Sequence, residues 1–385
     1  MLSEMVAKNL LRKIPSVSVK DFIADYDNLA TIYENVAMEE ALKKPKPQAE
    51  DAPPPPPKPQ LPEPSLAQVK QLVVERCVLP LGCDKVYSLS PKSVLLYGPH
   101  GCGKTMLAYG IANDTNALFF DLSPANIAGK FAESEAATKY MVQCVSLLAA
   151  HFDVPAVVYV DEAEKVFGKS AKAKKGKKGK KKKGDKPGTP AGAEKTDRIT
   201  KYVLEMLGKE VPCAAINPET KALVEVKRVP RVLVVGNTSN VEGAEAGLAE
   251  NFGLHLYCSL PLYQTRYKLW KETIAKYDIE LEHPLQHQVF AYVTHGFSSG
   301  GILRTIRRVL NPKRLERLDY YPLKDDEFIA ELSRLTEHYM YQQNLDAFKA
   351  FNDLVPAFPK LPTPPDPEGG KKGKKGGKGG KKGKK

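Results

Sequence analysis

Ser93-Val94-Leu95-Leu96-Tyr97-Gly98-Pro99-His100-Gly101-Cys102-Gly103-Lys104-Thr105 decides how the rest of the chain is read. A short apolar run ends in glycine, the spacing Gly-x-x-x-x-Gly-Lys-Thr follows, and Lys104–Asn113 then continues as a helix former. In the order strand, glycine loop, helix, this spacing cradles phosphate: the glycines let backbone N–H groups turn inward, and the helix start adds a favourable dipole. Lys104 is expected to reach the β- and γ-phosphates and the Thr105 hydroxyl to bind Mg²⁺. The expected nucleotide-binding set is Gly98, Pro99, His100, Gly101, Cys102, Gly103, Lys104, Thr105 and Met106, and the expected ligand is ATP or ADP with Mg²⁺.

Downstream, Val157-Val158-Tyr159-Val160-Asp161-Glu162 reads as a buried strand ending in two carboxylates. Asp161 suits a hold on Mg²⁺ and Glu162, the expected catalytic residue, suits polarising an attacking water. Read alone, the pair also fits an acidic cap opening the next helix. Its position about sixty residues past Lys104 favours the metal and water chemistry. Cys102 sits among the loop amides, where a helix start lowers a thiol pKa; the plainer reading is that the position tolerates a small side chain.

Outward from this centre, apolar runs alternate with helical stretches. Ala117–Asp121, Ala156–Val160, Arg231–Val235 and Leu254–Ser259 read as strands, and Ser134–Ala150 and Asp197–Leu207 as helices. Strands without polar alternation, separated by helices, predict a parallel sheet covered on both faces. After Pro261 the pattern turns helical, through TRYKLWKETIAKY, PLQHQVFAYVTHG, GGILRTIRRVL and DDEFIAELSRL. At the other end, Lys20–Lys44 reads as amphipathic helix, with Phe22, Ile23, Leu29, Ile32 and Tyr33 on one face. Residues 45–64, with five consecutive prolines, form an extended spacer, and the globular body is expected to begin near Ser65.

The net charge of +13 is unevenly placed. Residues 169–186 hold 11 Lys and one Asp and residues 371–385 hold 9 Lys, so these tracts carry +19 and the remainder −6. An acidic body with two lysine–glycine tracts does not match a sequence-reading nucleic-acid domain. It suits tethers that attract a polyanion, or tracts that are simply solvated. The six cysteines lack Cys-x-x-Cys spacing and read as reduced thiols of a cytosolic compartment, neither disulfide framework nor zinc site. No run of eighteen apolar residues predicts a membrane span, and the first twenty residues lack a secretory signal's continuous apolar centre.

YGPHGCGKT, NIAGKFAESEA, VVYVDEAE and THGFSSGG, in that order, resemble the AAA ATPase core. DFI from position 21, CVLPLG at 77–82, FFDLSPANIAGKF at 119–131 and the lysine–glycine tail further resemble the IQ-motif-and-AAA-domain subunits of the nexin–dynein regulatory complex of cilia and flagella. The resemblance covers most of residues 5–345. It implies an α/β fold: an AAA-type P-loop NTPase parallel sheet with helices on both faces, followed by a small all-α lid domain. The implied organisation is an N-terminal helical segment (1–44), a Pro-rich linker (45–64), and an AAA nucleotide-binding domain (65–262) with a disordered Lys-rich insertion at 169–195. A helical lid domain (263–345) and a Pro- then Lys/Gly-rich tail (346–385) follow. It also implies a polar sensor residue in Val235–Asn240, where Asn237 and Ser239 both qualify; Asn237 joins the nucleotide set.

Three departures shape the functional expectation. Ala246–His255, the segment in which ring-forming members place arginine fingers, contains no arginine. Lys130-Phe131-Ala132-Glu133 lacks the glycine that follows the aromatic–aliphatic pair in threading members. No stretch resembles an IQ motif, so calmodulin is not an expected partner. The expectation is an ATP-binding scaffolding or regulatory subunit of the axonemal regulatory complex, in cytoplasm, cytoskeleton and the cilium or flagellum, with slow or no hydrolysis. Its expected partners are other subunits of the complex and tubulin on the doublet microtubule, the latter through the lysine tracts, with neither membrane nor specific nucleic acid. The alternative is an active AAA ATPase remodelling a ciliary protein.

Overall fold

The computed structural model describes residues 1–26, 64–131, 134–168, 198–216, 223–279, 285–318, 320–339 and 345–355. Both lysine tracts, the proline spacer and most of the amphipathic stretch proposed for Lys20–Lys44 lie outside these residues.

Five strands form one parallel sheet in the order β2-β3-β6-β1-β7: β1 Ser93–Tyr97, β2 Leu118–Asp121, β3 Ala156–Val160, β6 Val232–Thr238 and β7 Leu254–Tyr257. Their unbroken apolar sequences follow from pleating. Val94 and Leu96 enter one apolar cluster, while Leu95 and Tyr97 enter the other on the opposite face. Helix α4 (Lys104–Asp114) covers the first face with Leu107, Ala108 and Ile111, and α5 (Glu135–Phe152) covers the second with Met141, Val145 and Leu148. Helix α5 starts at Ser134, whose hydroxyl accepts the Ala137 N–H, and stops at Asp153 in the left-handed conformation. This is the α/β arrangement expected from the sequence.

Helices α9 (Tyr263–Ala275), α10 (His287–Val293), α11 (Ser299–Val309) and α12 (Asp325–Tyr339) enclose a third cluster. Trp270, the chain's single tryptophan, is fully buried there against Phe290 and Phe328.

Several elements differ from expectation. The first 26 residues belong to the folded body, which therefore does not begin near Ser65. Helix α1 (Leu2–Ala7) and the following loop bury Met5 and Leu10 in the α5-side cluster, and Val19, Phe22 and Ala24 enter the α4-side cluster. Leu11 bridges Phe120 of β2 in antiparallel fashion, and Arg12 pairs with Asp121. These apolar positions follow neither helical nor strand period, so periodicity does not reveal them. Where the amphipathic stretch begins, Val19–Asp21 is one 3₁₀ turn, closed by a reciprocal Ser18–Asp21 capping box, and Phe22 is extended. The segment from 346, expected as tail, is helical: α13 (Leu345–Leu354) buries Phe348 and Phe351 against Tyr97 and Tyr257. Ten residues between two polar stretches gave too short a signal. An antiparallel pair, β4 (Val211–Ile216) with β5 (Leu223–Arg228), also went unanticipated; it lies beside α5.

Candidate functional site

The loop Gly98–Gly103 leaves β1 and turns into α4. Gly103, which precedes the helix, has φ +89°, and a Cβ there would stand 2.6 Å from the Phe22 ring. Gly98 has φ +142°, and a Cβ would meet the Cys258 carbonyl oxygen at 2.2 Å. Both positions therefore exclude a side chain on backbone and contact grounds together. Lys104 is 4% exposed, and its Nζ donates to the carbonyls of Gly98 (2.8 Å) and Pro99 (2.7 Å). Burial lowers its pKa, against which the nearby Cys258, Cys102, Asp161 and Glu164 act. His100 and Met106 line the cleft beside the loop. Cys102 is fully buried, so the plainer reading of a small packed side chain describes it better than an accessible thiol.

Strand β3 delivers Asp161 and Glu162 to the same place. Asn237, on β6, sits in the strand between β1 and β3, and its Nδ2 donates to Asp161 Oδ1 at 2.9 Å. The same amide nitrogen lies 3.3 Å from Thr105 Oγ1 and 3.1 Å from the Tyr159 hydroxyl. Burial pushes the Tyr159 phenol up to about 12, so it stays protonated at neutral pH. The Asp161 N–H donates to Ser123 Oγ, which in turn donates to the buried carboxylate of Asp121. Glu162 holds the left-handed backbone conformation (φ +49°) uncommon for a non-glycine residue. Its carboxylate pairs with Lys165 at 2.6 Å across one helical turn. Thr105, Asp161 and Asn237 thus come together; Ser239 lines the cleft without joining that cluster of bonds.

Between this wall and the lid helices lies a cleft of about 1190 Å³. Phe22 and Ile23 line one side, Leu269 and Thr273 of α9 with Tyr277 just beyond it another, and Ser299, Gly300 and Arg307 of α11 a third. Helix α11 starts directly on the glycine loop, where the Gly300 N–H donates to the Gly101 carbonyl at 2.8 Å. Four buried polar atoms of cleft residues have no hydrogen-bond partner: Asn237 Oδ1, Glu164 Oε2, Thr273 Oγ1 and Ser299 Oγ. Buried polar groups are nearly always bonded, so orphans gathered in one cleft mark where a polar ligand belongs. The sequence marks Ile23 only as part of an apolar helix face, and it does not mark Thr273, Ser299 or Arg307 as cleft residues. DFI and FSSGG were visible as motifs, yet no local signal joins them to the glycine loop.

The donor set also fits Mg²⁺. Among the described residues no group of three or more His, Cys, Asp or Glu side chains could hold a metal alone. Mg²⁺ needs less, since it binds through one or two protein oxygens and completes its shell with phosphates and water. The Thr105 hydroxyl and Asp161 carboxylate, joined through Asn237, are hard oxygen donors of that kind.

Two regions expected to distinguish scaffold from motor are also placed. Glu245–Asn251 forms helix α8, packed through Asn251, whose Nδ2 donates to the Phe167 carbonyl at 3.0 Å. Phe131 is 9% exposed, with Lys8 Nζ 3.5 Å above its ring; Ala132 and Glu133 lie outside the described residues.

Comparison with known proteins agrees with this architecture. Residues 94–184 match the ATPase family associated with various cellular activities (AAA). Mouse Dynein regulatory complex protein 11 is 29% identical over 354 residues, covering 90% of this chain and 34% of that protein. Drosophila melanogaster Fidgetin-like protein 1 is 24% identical over 305 residues, covering 75% of this chain and 50% of that protein. The chain thus spans a third to a half of the length of these relatives. The crystal structure of the FIGL-1 AAA domain in complex with ADP superposes with a TM-score of 0.50 at 21% identity, covering 76% of this chain and 89% of that one. Residues 94–184 thus carry the match to an AAA ATPase domain, and such a domain implies nucleotide binding.

Proposed function

We propose that this AAA domain holds ATP or ADP with Mg²⁺ in the cleft between glycine loop and lid, and that the chain is a scaffolding or regulatory subunit of the axonemal dynein regulatory complex. The nucleotide half rests on one observation: Lys104, Thr105, Asp161 and Asn237 converge beside a cleft lined by four unpartnered buried polar atoms. The axonemal half rests on the similarity to Dynein regulatory complex protein 11 across 90% of the chain. It carries with it a location in cytoplasm, cytoskeleton and axoneme, and neighbours among the subunits of that complex.

In this reading Lys104 exchanges its bonds to Gly98 and Pro99 for phosphate oxygens, and the loop amides supply the remaining donors. Thr105 and Asp161 hold Mg²⁺, which neutralises phosphate charge when bound. Glu162 is the group placed to polarise a water, and its pairing with Lys165 must loosen for that role. Slow or absent hydrolysis follows from Ala246–His255, which offers no arginine to a neighbouring site; such an arginine is worth roughly 10³-fold or more in rate. The lysine tracts would hold the acidic tails of tubulin by polycation–polyanion attraction. Deleting both should abolish microtubule co-sedimentation at low salt, and undiminished binding would sink that part.

The second reading, an active remodelling ATPase, is favoured by the presence of both Asp161 and Glu162. Turnover of ATP by the purified chain beside its Glu162→Gln variant separates the two. A rate that vanishes in the variant supports the remodeller, whereas tight binding without turnover supports the scaffold.

A further inference from the structure

We infer that the Tyr159 hydroxyl is a positioning group for Mg²⁺ at Thr105, an inference that rests on the nucleotide reading above. The ring of Tyr159 is fixed on the α4-side face of β3. It stacks on Phe119 with centroids 5.6 Å apart and tilts against Tyr109 at 6.3 Å. A phenylalanine would fill that space equally well, so packing does not ask for the oxygen. The hydroxyl lies 3.3 Å from Thr105 Oγ1 and accepts from Asn237 Nδ2 at 3.1 Å. Elsewhere a buried tyrosine hydroxyl serves the fold: that of Tyr87, on the helix Asp84–Leu89, bonds the backbone of Val232, and that of Tyr97 on β1 bonds Asn352 on α13. Tyr159 alone of these three directs its oxygen to the residue proposed to hold the metal.

The bonding around Asn237 gives this contact a purpose. Its amide nitrogen carries two hydrogens but stands within bonding distance of three oxygens, those of Thr105, Tyr159 and Asp161. The Thr105–Tyr159 pair is a contact between two hydroxyls and can run in either direction. With a cation on Thr105 Oγ1, that oxygen gives up a lone pair and its own hydrogen needs an acceptor. The Tyr159 oxygen is the acceptor within reach, and it holds the Thr105 rotamer that keeps a lone pair toward the metal. Partners one step behind a metal ligand typically alter metal affinity by about 10–100-fold.

The test uses the full chain, a fluorescent ADP analogue and a Mg²⁺ titration, read as bound-nucleotide fluorescence. Tyr159→Phe keeps the ring, and Asn237 Nδ2 keeps two acceptors, so the fold is retained; a circular-dichroism melt checks this. In EDTA the variant should bind the analogue within about twofold of wild type. Its Mg²⁺ midpoint should rise about 10-fold. In a Thr105→Ala background, Tyr159→Phe should no longer move the midpoint, which a purely structural role would not produce. An unchanged or lower midpoint in Tyr159→Phe overturns the inference, as does the same shift with and without Thr105. Lys104→Ala separates the two layers: wild-type binding that survives this change removes the nucleotide reading itself. A normal loss in Lys104→Ala with no Mg²⁺ effect in Tyr159→Phe removes the Tyr159 role alone.

Discussion

The two ends of the cleft are built on opposite plans. At the phosphate end most polar groups already bond to one another, with Asn237 Oδ1 and Glu164 Oε2 left over: Lys104 bonds to Gly98 and Pro99, Asn237 to Asp161, and Asp161 to Ser123. At the lid end Thr273 and Ser299 carry buried hydroxyls with no partner, set among Leu269, Tyr277 and Ile23. The first end is stable as it stands and must exchange bonds to take a ligand. The second leaves donors waiting and gains bonds only when something arrives. Ligand affinity should therefore come from replacement at one end and from new contacts at the other.

The largest expected effect on ligand binding breaks the phosphate end. Lys104→Ala should weaken a fluorescent ADP analogue at least about 100-fold in an equilibrium titration, near 2.7 kcal/mol. A loss under fivefold would mean that the lid end carries the affinity. Next, Trp270→Ala should cost the fold about 3–5 kcal/mol by opening a cavity in the lid cluster, seen as a lower urea midpoint by circular dichroism. Arg12→Ala strips a partner from the buried Asp121 carboxylate, which bonds through Ser123 to Asp161. Arg12 is itself half-exposed, so the cost should be modest, about 1–2 kcal/mol in the same assay.

Ser299→Ala sharpens the comparison from the other side. With no bond of its own to lose, the melting temperature of the protein alone should hold or rise slightly, while nucleotide affinity falls about three- to tenfold. Equal losses in both measurements would show that the hydroxyl serves the fold. The smallest effect concerns acid. Arg314 holds Glu327 of α12 below the ordinary carboxylate range. A depressed folded pKa stabilises above the unfolded value, about 4.3, and that contribution fades as pH falls through the folded value. Trp270 fluorescence, a native reporter of the lid, should show a lower urea midpoint below about pH 4, and Glu327→Gln should flatten that dependence.

The same contrast explains what was legible in the sequence. The phosphate end is local: a strand, a glycine loop and a helix start occupy thirteen consecutive residues, and chain spacing alone sets their geometry. The unbroken apolar strands likewise announced a parallel sheet, because burial on both faces removes alternation. The lid end is assembled from Phe22–Ile23, Leu269–Tyr277 and Ser299–Arg307, stretches that meet only in three dimensions. Nothing in Thr273 or Ser299 taken singly distinguishes a ligand contact from a satisfied core hydroxyl. Met5 and Leu10 escape sequence reading for a related reason, and Phe22 reads as a helix face where the chain is extended: an irregular arm buries apolar residues without a repeating period.

That arm also bears on how the molecule behaves in a crowded solution. Strand β2 is an outermost strand of its sheet, and an outermost strand offers unpaired amides to any passing chain. The Asp121 N–H donates to the Leu10 carbonyl, and the Arg12 N–H donates to the Phe119 carbonyl, so Leu10–Arg12 occupies those sites. Preparations shortened past Arg12 would bare a run reading Leu118-Phe119-Phe120, a template for edge-to-edge pairing, and are expected to aggregate where the intact chain does not.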